Sequence, residues 1–406
     1  MINSSEREGD ALDLLSAFSL SLLCYSGILK GTPLFSWLPV DLAVVAAAFL
    51  LLSVLVRAAR RELPSSAVVL PALALWALFL PGVVIAVGSD LGPDRYLLLF
   101  TVTLGCYVAA SLLITSVRAE SVWIFSQVVF GATAALSLFV FPAAQSAGNV
   151  GRLGVEGSTS ISTAWTLCAA LIVTVYYGLR SRGLVRLAWT GIAATLLALV
   201  ILVGSRGPIV AVVFSLVFLL AGSLRRVGLG ALGLFGGVIA AQVLLVRSVG
   251  DTVAIVRLME LLAGDPDDAS RSSLYAVGLE SLLDSPLGLG WGGYAGMSGE
   301  KGLSRGTGAY VHNILLDVAV DGGLIALVGI CAFFGWHLLK VLRIPDSVML
   351  LLGALFVFWV VAAQFSSDVN GVRMLWATAG VISVASARRR SKPVPSGGRR
   401  VLSPGL

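Results

Sequence analysis

The chain has 406 residues, of which 57% are hydrophobic and only 12% are charged, with a mean hydropathy of +0.95. A soluble domain carries roughly 25% charged residues, so this composition excludes a water-soluble globular protein and indicates an all-α polytopic membrane protein. The net charge of +6 owes much to the tail RRRSKPVPSGGRR, which suits an anionic lipid surface and not nucleic acid.

The N-terminal MINSSEREGDALDLL has neither the basic start nor the small-residue cleavage site of a signal peptide. It is expected to stay on as a short cytoplasmic lead. Hydropathy then predicts spans near 11–29, 39–56, 66–88, 95–116, 121–141, 158–179, 187–203, 207–223, 227–246, 311–339, 346–365 and 372–387. Each is about long enough to cross a hydrocarbon core of ~30 Å as a helix. Proline and glycine mark many of the joins, as in GTPLFSWLP, FPAAQSAGN and GSRGP. This divides the chain into a nine-span region (1–246), a long outer loop (247–310), three further spans (311–387) and a basic cytoplasmic tail (388–406).

Orientation follows from the basic residues of the short loops. With the N-terminus inside, inner loops carry Arg57, Arg60, Arg61, Arg118, Arg180, Arg182, Arg186, Arg225, Arg226, Lys340 and Arg343. The short outer loops carry only Lys30, Arg95, Arg152, Arg206 and Arg373. Both termini are therefore expected in the cytoplasm. Cys24, Cys106, Cys168 and Cys331 all fall in apolar runs without metal-ligand spacing and read as packing residues.

The long polar stretch 247–310 looks structured. VGDTVAIVRLMELLAG spaces Val249, Val253, Val256, Met259 and Leu262 as a helix lying on the membrane surface would. A second short helix is expected in DPDDASRSSLYAVGLESLLDSP, with Asp268 or Ser270 as N-cap and Pro286 as stop. LGLGWGGYAGMSG follows as a glycine-rich turn that neither follows a strand nor opens a convincing helix. Ionisable residues within the predicted spans are few, whereas transport routes are usually marked by them.

Three side chains stand out as candidates for chemistry, all on the predicted outer side. Arg206, in LVILVGSRGPIVAV, precedes Pro208 where a span begins. Its guanidinium is a planar, bidentate phosphate ligand; the alternative is an arginine that anchors a span end. Arg271 lies near the start of the second loop helix, where a positive charge is slightly unfavourable; the alternative is a solvated helix residue. His312, beside Asn313, sits where the loop re-enters the membrane, and a neutral imidazole there can take a proton from a hydroxyl. The other histidine, His337, reads as interfacial. Together the three suggest an anionic substrate at the outer leaflet, with no metal and no cofactor.

At these residues the chain resembles the O-antigen ligase and polymerase superfamily, bacterial membrane glycosyltransferases of GT-C-like architecture. The matching features are GSRGP at a span start, the long outer loop with Arg271, Tyr275 and SPLGLGWGGY, and VHNILLDVAVDGGLIAL at the next span. The resemblance implies an undecaprenyl-diphosphate-linked glycan as donor and lipid A-core or another surface glycan as acceptor. It also implies that Arg206 and Arg271 hold the diphosphate and that His312 activates the acceptor hydroxyl. Asn313, Tyr275 and Trp291 join as substrate-binding residues, in an enzyme of the cytoplasmic membrane whose site faces outward. The loop is short for the family, Tyr275 stands where tryptophan is common, and the acidic position is Asp321. A repeat-unit polymerase of the same superfamily and a flippase for lipid-linked sugar are the competing functions.

Overall fold

The computed structural model describes residues 11–30, 32–86, 92–143, 153–223, 269–300 and 310–391. In these residues it is helical, with no strand. We label the helices α1 (Ala11–Lys30), α2 (Leu42–Ala59), α3 (Leu70–Ala86), α4 (Gly92–Leu113, with a π-helical stretch at Leu99–Thr103), α5 (Val117–Val140), α6 (Ser160–Arg180) and α7 (Gly183–Val203). After these come α8 (Arg206–Ser223), α9 (Ala269–Asp284), α10 (Gly293–Glu300), α11 (Ile314–Leu342), α12 (Ser347–Ser366) and α13 (Arg373–Arg390).

Seven of them, α2, α4, α5, α6, α7, α11 and α12, are long and apolar enough to cross a membrane, and α1, α3 and α8 are shorter apolar helices. The predicted span 227–246, the surface helix over 249–262, the N-terminal lead and most of the basic tail lie outside the described residues. α9 begins directly after Asp268 and ends two residues before Pro286, as its sequence signals require.

Burial separates lipid-facing helices from central ones. α2 presents Val44, Leu51, Leu52 and Leu55 outward, and α7 presents Leu184, Val185 and Leu187. α6 and α13 are the opposite, with every residue from Met374 to Ser386 of α13 buried. The sequence of α13 over that stretch, MLWATAGVISVAS, is rich in small residues, which let backbones approach where no hydrophobic drive exists between helices. At Gly380 a Cβ would come within 2.7 Å of Ala110 on α4.

Ion pairs tie the helix ends together at one face of the bundle. Asp13 pairs with Arg57, and Arg57 donates to Thr115 at 2.8 Å. Arg388 and Arg389 both reach Glu120, and Arg389 also reaches Asp346 at 3.1 Å. We call this the basic end. Between the ends, His337 corrects the interfacial reading, because it is fully buried. Its Nδ1 lies 2.8 Å from the Phe333 carbonyl and its Nε2 lies 3.0 Å from Ser383 Oγ, so the ring cross-links α11 and α13.

The opposite end differs most from the sequence expectation. The predicted continuous span 311–339 is broken at Gly323, whose φ of 79° and ψ of 179° are non-helical. A helix would bond the Leu324 amide to the Val320 carbonyl. Here Leu324 N–H donates instead to Pro286 O at 2.9 Å, and Val320 O accepts from Leu289 N–H at 2.8 Å. The PLGL segment is thus spliced into the gap, and each opened backbone group finds a partner there. Gly288, at φ 91°, makes the approach possible, since a Cβ on it would lie 2.6 Å from the Asp321 carbonyl oxygen. The span proper starts at Leu324, and Ile314–Gly322 forms a separate short helix capping the bundle.

Gly323→Ala is expected to cost about 1–3 kcal/mol in left-handed strain, before the clash of its methyl with the Leu287 backbone. The thermal midpoint of detergent-solubilised protein should fall for Gly323→Ala. It should hold or rise slightly for Gly335→Ala, a helical glycine of α11 with open space around it.

Candidate active site

The broken start of α11 is the frame on which the site is built. Asp317 and Asp321 are four residues apart, hence on one helical face, and both are buried. They converge on Arg95 of α4 at 3.4 and 3.6 Å, and Asp368 of the α12–α13 turn joins at 3.9 Å. Asp317 also accepts from the Val369 amide at 3.3 Å, and Asn370 donates to the Arg95 carbonyl at 3.3 Å. Among the described residues, one guanidinium thus meets three carboxyl groups.

Asp321 has a second task. Its carboxylate accepts from the amides of Gly292 at 2.9 Å and Tyr294 at 3.0 Å, capping the N-terminus of α10. GLGWGG therefore does open a helix, one whose cap comes from α11 and not from its own sequence. Trp291 in this turn is 1% exposed. Its indole N–H donates to the Phe79 carbonyl at 3.1 Å and its amide to the Gly82 carbonyl at 3.2 Å, on either side of Pro81 in α3. The ring is thus enclosed and tied to α3.

Tyr294 donates its hydroxyl to Leu274 of α9 at 3.0 Å. Burial and the Asp317 and Asp321 carboxylates push this phenol up to about 12, so it is a donor at neutral pH. Leu274, Tyr294, Val311 and Val320 form a small core under α9, with Tyr275 packed against it. Tyr275 is thus partly buried. Val311 anchors the chain directly before His312.

His312 has φ of 62°, in the left-handed region. Histidine adopts it uncommonly, and such strain is kept where neighbours over-determine the backbone. Those neighbours are the buried Val311 on one side and the N-cap Asn313 on the other, and the Tyr310 ring lies 4.2 Å from the imidazole. Asn313 Oδ1 accepts from the amides of Leu315 and Leu316 at 3.1 and 3.0 Å. That carboxamide oxygen therefore caps the helix.

Arg206 is the first residue of α8 and is partly buried, with Pro208 two positions further in. Gly204 ends α7 at φ 70°, so the turn between the two helices is only Gly204 and Ser205. Gly207 lets α8 lie against α12, since a Cβ there would meet that of Phe365 at 2.6 Å. Phe365 is three residues from Asp368. Arg206 and His312 therefore occupy the same end of the bundle, connected through the α12–α13 turn and the Arg95 cluster. Arg271 lies in the first turn of α9.

Residues 191–331 match the O-antigen ligase family. That stretch of the chain is similar to O-antigen ligases. That region spans α7, α8, α9, α10 and the start of α11, and so contains Arg206, Arg271 and His312. Its family chemistry is glycan transfer of the ligase or polymerase type, within a membrane. No curated protein matches the chain. Arg95 and Asp368 lie outside the ligase region yet complete its frame, and sequence reasoning did not single them out. The signal for their partners was the spacing of Asp317 and Asp321, two carboxylates on one face of an apolar helix.

Asp321→Asn keeps the shape but can cap only one of the two amides while facing the other with an NH₂. It should cost about 1–3 kcal/mol for the amide left unsatisfied, and it should lower glycan transfer with the thermal midpoint. Normal stability in this variant, measured by thermal unfolding in detergent, would remove the capping role.

Proposed function

We propose that the protein transfers a glycan from undecaprenyl diphosphate to an acceptor hydroxyl at the outer face of the cytoplasmic membrane. The observation that carries this reading is the common location of Arg206 and His312 at one end of the bundle, both within the ligase-family region. Opposite them lies the basic end, which the excess of Lys and Arg in short loops assigns to the cytoplasm.

Arg206 and Arg271 bind the diphosphate. Negative charge grows on the leaving group as the glycosidic bond breaks, and fixed guanidiniums stabilise it more in the transition state than in the ground state. His312 takes the proton of the incoming hydroxyl, whose oxygen attacks the anomeric carbon from the face opposite the diphosphate, with inversion. A diphosphate is already a good leaving group, so two arginines supply the charge for which other transferases use a metal. The acceptor is lipid A-core or another surface glycan. A repeat-unit polymerase uses the same groups with a second lipid-linked glycan as acceptor.

Arg206→Ala is expected to lose on the order of a hundredfold in transfer rate, and His312→Ala a similar factor. Arg206→Lys keeps the charge but not the bidentate fork and should still lose about tenfold or more. The assay uses purified protein in lipid with an undecaprenyl-diphosphate-linked oligosaccharide as the only sugar. A single transfer that waits for a separate acceptor identifies a ligase, and a ladder of longer lipid-linked products identifies a polymerase. Full activity in both Arg206→Lys and His312→Ala refutes the proposed site.

A further inference from the structure

The cations of the basic end fall into two groups. Arg57, Arg388 and Arg389 are answered by Asp13, Glu120 and Asp346. Lys340 and Arg343 of α11 and Arg390 of α13 pair with no carboxylate among the described residues. These three share one place. Lys340 and Arg343 are three residues apart, hence neighbours on one face of α11. Lys340 reaches across to α13, where its Nζ donates to Ser383 Oγ at 3.1 Å. Arg390 is seven residues beyond Ser383, on the same side of α13 and about 10 Å nearer the helix end. It stands close enough for its charge to bear on the Lys340 ammonium. Like charges so placed repel one another, which favours an anion between them.

The setting is a membrane boundary. Val328, Ala332, Trp336, Lys340 and Arg343 follow one another at steps of four and three residues and form a single stripe of α11. Val328, Ala332, Trp336 and Arg343 are exposed and Lys340 is partly so. The ammonium lies over the Trp336 ring, 5.5 Å from its centroid, within reach of a cation–π contact. Toward the end of the helix the stripe thus runs from aliphatic to aromatic to cationic. A bilayer leaflet presents acyl chain, glycerol and phosphate in the same order, with aromatic rings at headgroup level.

We propose that this stripe, together with Arg390, is a binding site for one anionic phospholipid of the leaflet at the basic end. Its phosphate bridges Lys340 and Arg390, and its glycerol and upper acyl chain lie along Trp336. The site is independent of the glycan-transfer reading, since the lipid it takes is not a substrate. Through Lys340 the lipid also acts on the interior, because Ser383 Oγ lies 2.8 Å from the Tyr107 hydroxyl and 3.0 Å from His337 Nε2. A bound phosphate fixes the ammonium, and the ammonium fixes the hydroxyl that joins α4, α11 and α13.

The test uses the full-length protein. Native mass spectrometry of the detergent-solubilised chain, titrated with phosphatidylglycerol or with phosphatidylcholine of the same acyl chains, counts the lipids bound. The first phosphatidylglycerol should bind about fivefold or more tighter than the first phosphatidylcholine. Arg390→Gln breaks no bond among the described residues and should weaken that first site about fivefold at an unchanged thermal midpoint. Lys340→Gln should weaken it as much, and should also remove the gain in thermal midpoint that the unaltered protein shows in phosphatidylglycerol nanodiscs over phosphatidylcholine ones. Phosphatidylglycerol brominated on its acyl chains should quench a smaller share of the tryptophan fluorescence in Trp336→Phe. Arg182→Gln removes the exposed N-cap arginine of α7 at the same end and should leave the first site unchanged. Equal affinity for the two lipids overturns the proposal. So does an equal loss in Arg182→Gln and Arg390→Gln, which would mean a diffuse attraction to a basic face. Displacement of the lipid by inorganic phosphate overturns it as well, since the site would then take a free anion.

Discussion

The architecture at the site end depends on one missing helical hydrogen bond, that between Val320 and Leu324. Opening it leaves a carbonyl and an amide in a place where water is scarce, and an orphaned pair there would cost several kcal/mol. Leu289 and Pro286 close the account with backbone groups from the far end of α9. That exchange fixes the glycine turn in space, and the turn sets Trp291 on α3 and Tyr294 under α9. Val311, packed in the same small core, then holds His312 in its uncommon backbone conformation. The position of the imidazole is thus set by backbone bonding well away from it.

Buried charge makes the second tie. Arg95, Asp317, Asp321 and Asp368 gather α4, α11 and the α12–α13 turn at one point. Desolvating ionisable groups is expensive, so such clusters add little net stability, but removing the guanidinium would leave its carboxyl partners unpaired inside. Their value is geometric: only one arrangement of the three segments satisfies them. Arg95 is thus a fixture of the frame, while Arg206 opens α8 after a two-residue turn.

Much of this was readable from residue order, and the remainder had identifiable physical causes for escaping notice. The ends of α9 at Asp268 and Pro286, and the turn at GSRGP, follow from local chemistry that acts within a few residues. The break in α11 did not register because hydropathy averages over a window, and AVDGGLIAL remains apolar with a kink or without one. Asp321 and Arg95 are 226 positions apart in the chain, so no local pattern announces their pairing. His337 reads as interfacial from its place near a span end, and Trp291 reads only as part of a glycine-rich turn. Each instead found its hydrogen-bond partner inside, which makes full burial tolerable.

The enclosure of α13 has a consequence for how the molecule is made. Of the described helices it is translated last, and it becomes one of the most completely surrounded. Its alanines, glycine, serines and threonine give it little affinity for lipid on their own. Earlier helices can enter the bilayer on hydrophobicity alone, but this one gains most from partners already in place, above all α4 and α12. The groove it fills must therefore persist, lined by Tyr107, Ala110 and Ser111, until α13 has been made. Among the described helices α13 is thus a keystone, and a chain that stops short of it leaves its groove open for membrane quality control to find.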